Sequence, residues 1–179
     1  MTELAIHAAD RDIADELSEQ VRSAYHDRTP LRIVGGNTRA FYGRSVEGTE
    51  LNVAAHSGIV SYDPIELVVT VRAGTRLSAL NAALAEKHQM LPFEPPIFGD
   101  ASTIGGAVAT GMSGPRRPWA GAARDFVLGT RVITQEGKLL RFGGEVMKNV
   151  AGYDLSRMMA GAQGTLGVLA DISFKVLPI

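Results

Sequence analysis

The sequence contains no cysteine, which excludes disulfides, thiolate metal sites, iron–sulfur ligation and a cysteine nucleophile from this chain. Aromatic residues make up only 6%, with a single tryptophan, and the charges nearly cancel at a formal net charge of -1. That balance excludes the broad basic face of a nucleic-acid binder and confines any bound polyanion to a small, locally built site. Long apolar runs are missing too, so no segment reads as a membrane-spanning helix. The opening MTELAIHAADRD has no basic stretch leading into an apolar one, and a cytoplasmic protein is the expectation. His7, His26, His56 and His88 are dispersed, without HxH or HExxH spacing, and GMSG at 111–114 lacks the GxSxG spacing. No metal site is expected and no catalytic residue stands out, so any chemistry would fall to a bound cofactor.

What the chain does have is apolar mass and glycine. At 179 residues and 45% hydrophobic, it can bury a real core as one domain or two small lobes. Ile13, Leu17, Val21 and Tyr25 recur every four residues and predict a helix with one apolar face. Leu31 to Val34 and ELVVTVRAG read as strands, and TRLSALNAALAEKHQ reads as a helix N-capped by Thr75, with Leu77, Leu80 and Leu84 inward. After the proline-rich LPFEPP, a short helix from Ile104 to Thr110 is expected. Two strands follow around Glu136 and Gly137, then a short helix in NVAGYDLSRMMAGA ending near Gly161. A final strand alternates at Ile172, Phe174 and Val176. The sum is an α+β fold with approximate lobes 1–92 and 93–179.

Three glycine clusters carry the functional signal. VGGNTR follows a strand directly, where a turn without Cβ atoms can offer backbone N–H groups to a phosphate, with Asn37, Thr38 and Arg39 adding donors and charge. It is neither a GxGxxG fingerprint nor a Walker A loop. STIGGAVATGMSGPRRPWAG holds the hydroxyls of Ser102 and Thr103 beside Gly105, Gly106 and the small Ala107, Ala109 and Gly111, a lining that suits a planar, partly polar ligand. In KNVAGYDLSRMMAGAQGTLG, Gly161, Gly164 and Gly167 surround Thr165, while Tyr153 reads as buried packing and Asp154 as a hydrogen-bonded carboxylate. Each cluster alone also reads as ordinary turn or packing glycine.

Taken in order, RIVGGNTR, STIGGAVATGMSGPRRPWAGAARDFVLG, KNVAGYDLSRMMAGAQGTLGVL and FKVLP resemble the FAD-binding domain of the vanillyl-alcohol oxidase and para-cresol methylhydroxylase (PCMH/VAO) flavoprotein superfamily, over essentially the whole chain. Within it, SGPRRPWAG and KNVAGYDL are similar to flavin-binding subunits of glycolate-oxidase type. The resemblance implies a two-lobed α+β domain with FAD between the lobes. It assigns Gly35, Gly36, Asn37, Thr38 and Arg39 to the pyrophosphate loop. Gly99, Ser102, Thr103, Gly105, Gly106, Thr110 and Gly111 fall to the segment along the pyrophosphate and isoalloxazine, and Gly164 and Val168 to a further stretch of the dinucleotide. Arg124 and Asp125 match a structural RD pair.

Three departures from the family pattern shape the expectation. Covalent flavin binders carry histidine where this chain has Asn37, which implies noncovalent FAD. An asparagine frequent after IGG in 2-hydroxy-acid oxidases is here Ala107, implying a less polar flavin edge. The family continues into a C-terminal cap domain, whereas this chain stops at Ile179. The resemblance therefore implies an FAD-dependent subunit that is not active alone. Its partners would be a catalytic flavoprotein subunit and an iron–sulfur subunit, with membrane association, if any, at the inner face through them. A non-catalytic scaffold with the same fold, assembling those partners, stays open as the second reading. Arg116 and Arg117 suit either the cofactor or a docking surface.

Overall fold

The computed structural model describes residues 10–144 and 153–179. Its centre is a five-stranded sheet in the order β3-β4-β8-β6-β7, with every pair antiparallel. The strands are β3 (Ile59–Asp63), β4 (Val68–Arg72), β6 (Val127–Ile133), β7 (Leu139–Gly143) and β8 (Val168–Lys175). The line between the expected lobes at 92 and 93 thus falls between β3 and β4 on one side and β6 to β8 on the other, and the sheet joins both.

One face of the sheet carries α2 (Leu77–Ala85) and α3 (Ile104–Thr110), whose Leu77, Leu80, Leu84, Ile104 and Val108 bury completely against Val69, Val71, Ile172 and Phe174. Phe93 stacks with Phe174 at 5.9 Å and with Phe126 at 6.2 Å within the same core. The opposite face carries α1 (Ala14–His26) and a parallel pair, β1 (Leu31–Val34) with β2 (Thr49–Asn52). There Ile13, Leu17, Val21, Leu51 and Val53 meet Ile133, Val168 and Ala170 in a second, smaller core. Tyr25 departs from the expected apolar face: it is half exposed, and the buried residues of α1 end at Val21.

The expected limits of α3 are those observed. Thr103 caps it by accepting the Gly106 N–H at 3.2 Å, and Gly111 ends it at φ +64°, a left-handed conformation that favours glycine. For α2 the N-cap is Arg76 rather than Thr75. The Thr75 hydroxyl is taken up by Gly58, accepting its N–H at 2.9 Å and donating to its carbonyl at 3.1 Å. The last expected helix appears as α6 (Leu155–Met158), with residues 149–152 of that expectation outside the described residues. Tyr153, expected inside, is 94% exposed; Asp154 accepts the Arg157 N–H as the α6 N-cap. Two shorter helices, α4 (Arg117–Ala120) and α5 (Ala123–Phe126), follow α3, and the short pair β5 (Gln89–Met90) and β9 (Leu177–Pro178) completes the fold.

Strand β8 contains a local irregularity with structural consequences. Its pairing with β6 steps from Arg131 opposite Asp171 to Val132 opposite Leu169, leaving Ala170 as an extra residue whose carbonyl accepts the Ala73 N–H at 2.7 Å. The extra residue changes the alternation, so Leu169, Ile172, Phe174 and Val176 all join the larger core while Val168 and Ala170 join the smaller one. Asp171 is thereby placed against the fully buried His56. The His56 Nδ1 accepts the Ile13 N–H at 3.1 Å, which fixes the neutral ring with its proton on Nε2, donated to Asp171 at 3.1 Å. Arg131 closes the group with a 2.6 Å ion pair to the other carboxylate oxygen. Burial would raise the Asp171 carboxyl, but the His56 hydrogen bond and the Arg131 charge outweigh it and hold it below the ordinary carboxylate value.

Candidate cofactor site

A cavity of about 460 Å³, within the size range of ligand pockets, opens where β1 ends, between the turn that follows it and α3. The turn is built by close contact. A Cβ on Gly36 would lie 1.6 Å from the Ala101 carbonyl oxygen, so only glycine lets the two chain segments meet there. Asn37 adopts φ +54°, a conformation asparagine tolerates better than most residues. None of the five backbone N–H groups from Gly35 to Arg39 has an acceptor among the described residues, which makes the turn a nest of outward donors.

The charges agree with that polarity. Arg32, Arg39 and Arg44 line the cavity, and no carboxylate or histidine does among the described residues. Arg32 is matched by Glu50 at 2.8 Å. Arg39 is 8% exposed and has no carboxylate partner: one terminal nitrogen donates to the Pro96 carbonyl at 2.6 Å, the guanidinium sits 5.4 Å over the Phe98 ring, and its buried Nε has no acceptor. Burial pushes its pKa below the ordinary arginine value, although the group stays charged. A buried cation without a counter-charge costs free energy, and an anionic ligand would offset that cost.

The residues singled out in the sequence divide by what they do here. Gly35, Gly36, Asn37, Thr38, Arg39, Thr103, Gly105, Gly106, Thr110 and Gly164 line the cavity. Ser102 lies behind the wall, its hydroxyl 3.0 Å from that of Thr38 and accepting the Phe98 N–H at 3.0 Å, so it braces the nest. Gly111 closes α3, Val168 belongs to the smaller core, and Gly99 stands in open space. The Thr110 hydroxyl donates back to the Gly106 carbonyl at 2.9 Å. Ala107 is wholly buried in the larger core rather than on the cavity wall, which removes it from the expected flavin edge. Arg116 and Arg117 do not line the cavity either. Sequence reading missed Tyr42, Arg44 and Gln163, which face it from loops; the paired arginines of RAFYGR were the available signal.

A backbone nest, a bare buried guanidinium and a small-residue wall define a domain made to hold an extended anionic ligand with a flat part, which fits a flavin dinucleotide. Residues 12–143 match the family model described as "FAD binding domain". The chain belongs to that FAD-binding family, and FAD is its cofactor. It is 62% identical over 167 residues to glycolate oxidase subunit GlcE of Escherichia coli (strain K12), covering 93% of this chain and 48% of that protein. It is 32% identical over 166 residues to glycolate oxidase subunit GlcD of Bacillus subtilis (strain 168), covering 92% and 35%. Among solved structures, an alkyldihydroxyacetonephosphate synthase superposes with a TM-score of 0.74 at 22% identity, over 92% of this chain and 30% of that one, a likeness of fold. The chain spans about half the length of the GlcE relative and about a third of the GlcD relative. Among the described residues, no helix is long and apolar enough to cross a membrane.

Proposed function

We propose that the chain is the noncovalent FAD-binding part of a glycolate-oxidase-type flavoprotein subunit, serving the oxidation of a 2-hydroxy acid to the 2-oxo acid. The observation that carries this reading is the run of unbonded N–H groups from Gly35 to Arg39 beside the uncompensated Arg39, in a chain so similar to a glycolate oxidase subunit. When bound, FAD would supply the acceptor for the hydride that leaves the alcohol carbon. The residues of this chain bind and orient. The nest and Arg39 would hold the pyrophosphate, Thr38 braced by Ser102 would fix the turn, and Gly105, Gly106 and Gly164 would let flat rings approach the backbone. Asn37 offers no ring nitrogen for a covalent flavin link.

Among the described residues the cavity holds none suited to take the hydroxyl proton near neutral pH, its ionisable side chains there being arginine and tyrosine. Turnover would therefore draw its base and its substrate contacts from beyond the described residues. A further flavoprotein subunit and an iron–sulfur subunit would complete the electron path, since this chain has no cysteine for a cluster. Titrating the purified chain with FAD tests the reading. A yellow complex saturating at one flavin per chain, released intact on denaturation, is expected. A chain that stays colourless yet joins its partner subunits would favour the scaffold reading instead.

A further inference from the structure

Two aromatic rings beside the nest are not used by the packing of the fold. Phe41 and Phe98 belong to neither core and do not line the cavity, yet they meet edge to face, with ring centroids 5.1 Å apart and planes at 77°. Phe41 follows Arg39 by two residues, and the Arg39 guanidinium sits 5.4 Å from the Phe98 centroid, over the ring. The three side chains form one stack. At its inner end is the buried cation of the cavity, and at its outer end is a ring with no apolar core behind it.

The nitrogens of Arg39 show what the stack can do. Nη2 donates to the Pro96 carbonyl at 2.6 Å, and the buried Nε has no acceptor. Nη1 lies beside Gly106 in the first turn of α3, 3.5 Å from where a Cβ on that glycine would stand, and has no acceptor among the described residues. A long side chain held by one hydrogen bond would leave for water unless something else kept it in place. A ring face attracts a cation through its quadrupole and takes up no N–H in doing so, which leaves the donors free for an anion. The backbone under Phe98 is itself fixed. Its N–H is donated to the Ser102 hydroxyl at 3.0 Å and the Ser102 N–H to the Gly99 carbonyl at 3.0 Å, in the turn whose Ala101 carbonyl abuts Gly36.

We infer that Phe98, backed by Phe41, is a positioning residue for the cofactor. Its ring holds the Arg39 guanidinium at the nest before FAD arrives, so the free N–H groups meet the pyrophosphate without first having to be ordered. The inference rests on reading the cavity as an FAD site. Two other roles for the pair fit less well. Direct stacking on the flavin or the adenine would require a ring on the cavity wall, and packing alone would require a place in one of the cores.

Equilibrium titration with FAD, beside a thermal melt of each variant, tests the role. Phe98→Leu keeps apolar bulk and removes the ring face, so FAD affinity should fall by roughly tenfold while the melt stays that of the parent. Phe98→Tyr keeps the face and should bind within about twofold of the parent. Pentafluorophenylalanine placed at position 98 keeps the shape and inverts the quadrupole, and should lose at least as much as leucine does. In an Arg39→Met background, Phe98→Leu should cost nothing further, because the ring acts through the arginine. Equal affinity of Phe98→Leu and the parent would overturn the inference, as would the same loss in both backgrounds or a fluorinated ring that binds like the parent. So would a flavin absorption band that moves with fluorination, since that would put Phe98 on the cofactor itself. A parent chain that takes up no FAD fails the functional reading and this inference with it, whereas one that binds FAD but is indifferent to Phe98 fails the inference alone.

Discussion

Two polar regions of this molecule handle charge in opposite ways. In the group around His56, each charge meets an opposite or polar partner, though the Arg72 Nε is buried without an acceptor: Asp171 takes His56 and Arg131, and Arg72 reaches both Asp10 and Asp12. In the cavity, Arg39 is nearly as buried yet meets only a neutral carbonyl and the Phe98 ring, while the five backbone N–H groups from Gly35 to Arg39 find no acceptor among the described residues. The first region closes its electrostatics within the chain and ties the start of α1 to the sheet. The second leaves positive potential standing in a hollow. Matched charge here marks architecture, and unmatched charge marks the place for a ligand.

Breaking the closed group should cost the most. Asp171→Ala leaves Arg131 and His56 without their carboxylate, and a loss of about 3–5 kcal/mol in unfolding free energy is expected by urea denaturation. Next comes the open region, where the effect should fall on binding and spare the fold. Arg39→Met removes a desolvated charge at similar volume, so the apo chain should melt no lower than the parent, while FAD affinity drops by roughly thirtyfold, about 2 kcal/mol. A melt lowered as far as that of Asp171→Ala would erase the contrast.

Acid should then separate the two regions. Asp171 and Asp12 are both held below their ordinary values, Asp12 chiefly by the Ala14 N–H with help from the Arg72 and Arg131 charges, although its partial burial opposes the shift. In acid the unfolded chain binds more protons than the folded one, so stability is full above the unfolded carboxylate pKa of about 4 and is lost as pH falls through the lower folded values. The decline should flatten in Asp171→Asn. FAD affinity should stay level between about pH 6 and 8, because no histidine or carboxylate lines the cavity among the described residues. The smallest effect belongs to Arg44→Ala, whose exposed charge should contribute at most about fivefold to FAD affinity and fade with added salt, as isothermal titration would show.

The sequence was informative where a local rule and the tertiary structure agree. The limits of α3 follow from Thr103 and Gly111, and β4 from its valines, because cap chemistry and β-branching need no distant partner. The second residue set of the site was legible as glycine and hydroxyl, but not its division of labour: whether Ser102 faces a ligand or braces Thr38 depends on a neighbour 64 residues away. The same holds for Thr75, claimed by Gly58, and for Tyr25, whose period is helical but whose side chain stays half exposed. Strand β2 hid because TELN has one buried residue and pairs only with β1. The likeness to a known family reached further than periodicity, since an ordered set of motifs carries the distant contacts that spacing alone omits.

Ala170 joins the two regions within three residues of one strand: Leu169 lines the cavity, Asp171 sits in the closed group, and the carbonyl between them holds Ala73, itself on the cavity wall. In terms of phase, the strand is a wave with half a period inserted at that point. Deleting the one small residue would put every position on one side of it out of step with the other, presenting a carboxylate to hydrocarbon or turning Ile172 and Phe174 out of the larger core. Loops in this chain can change length at modest cost, but β8 must keep its count.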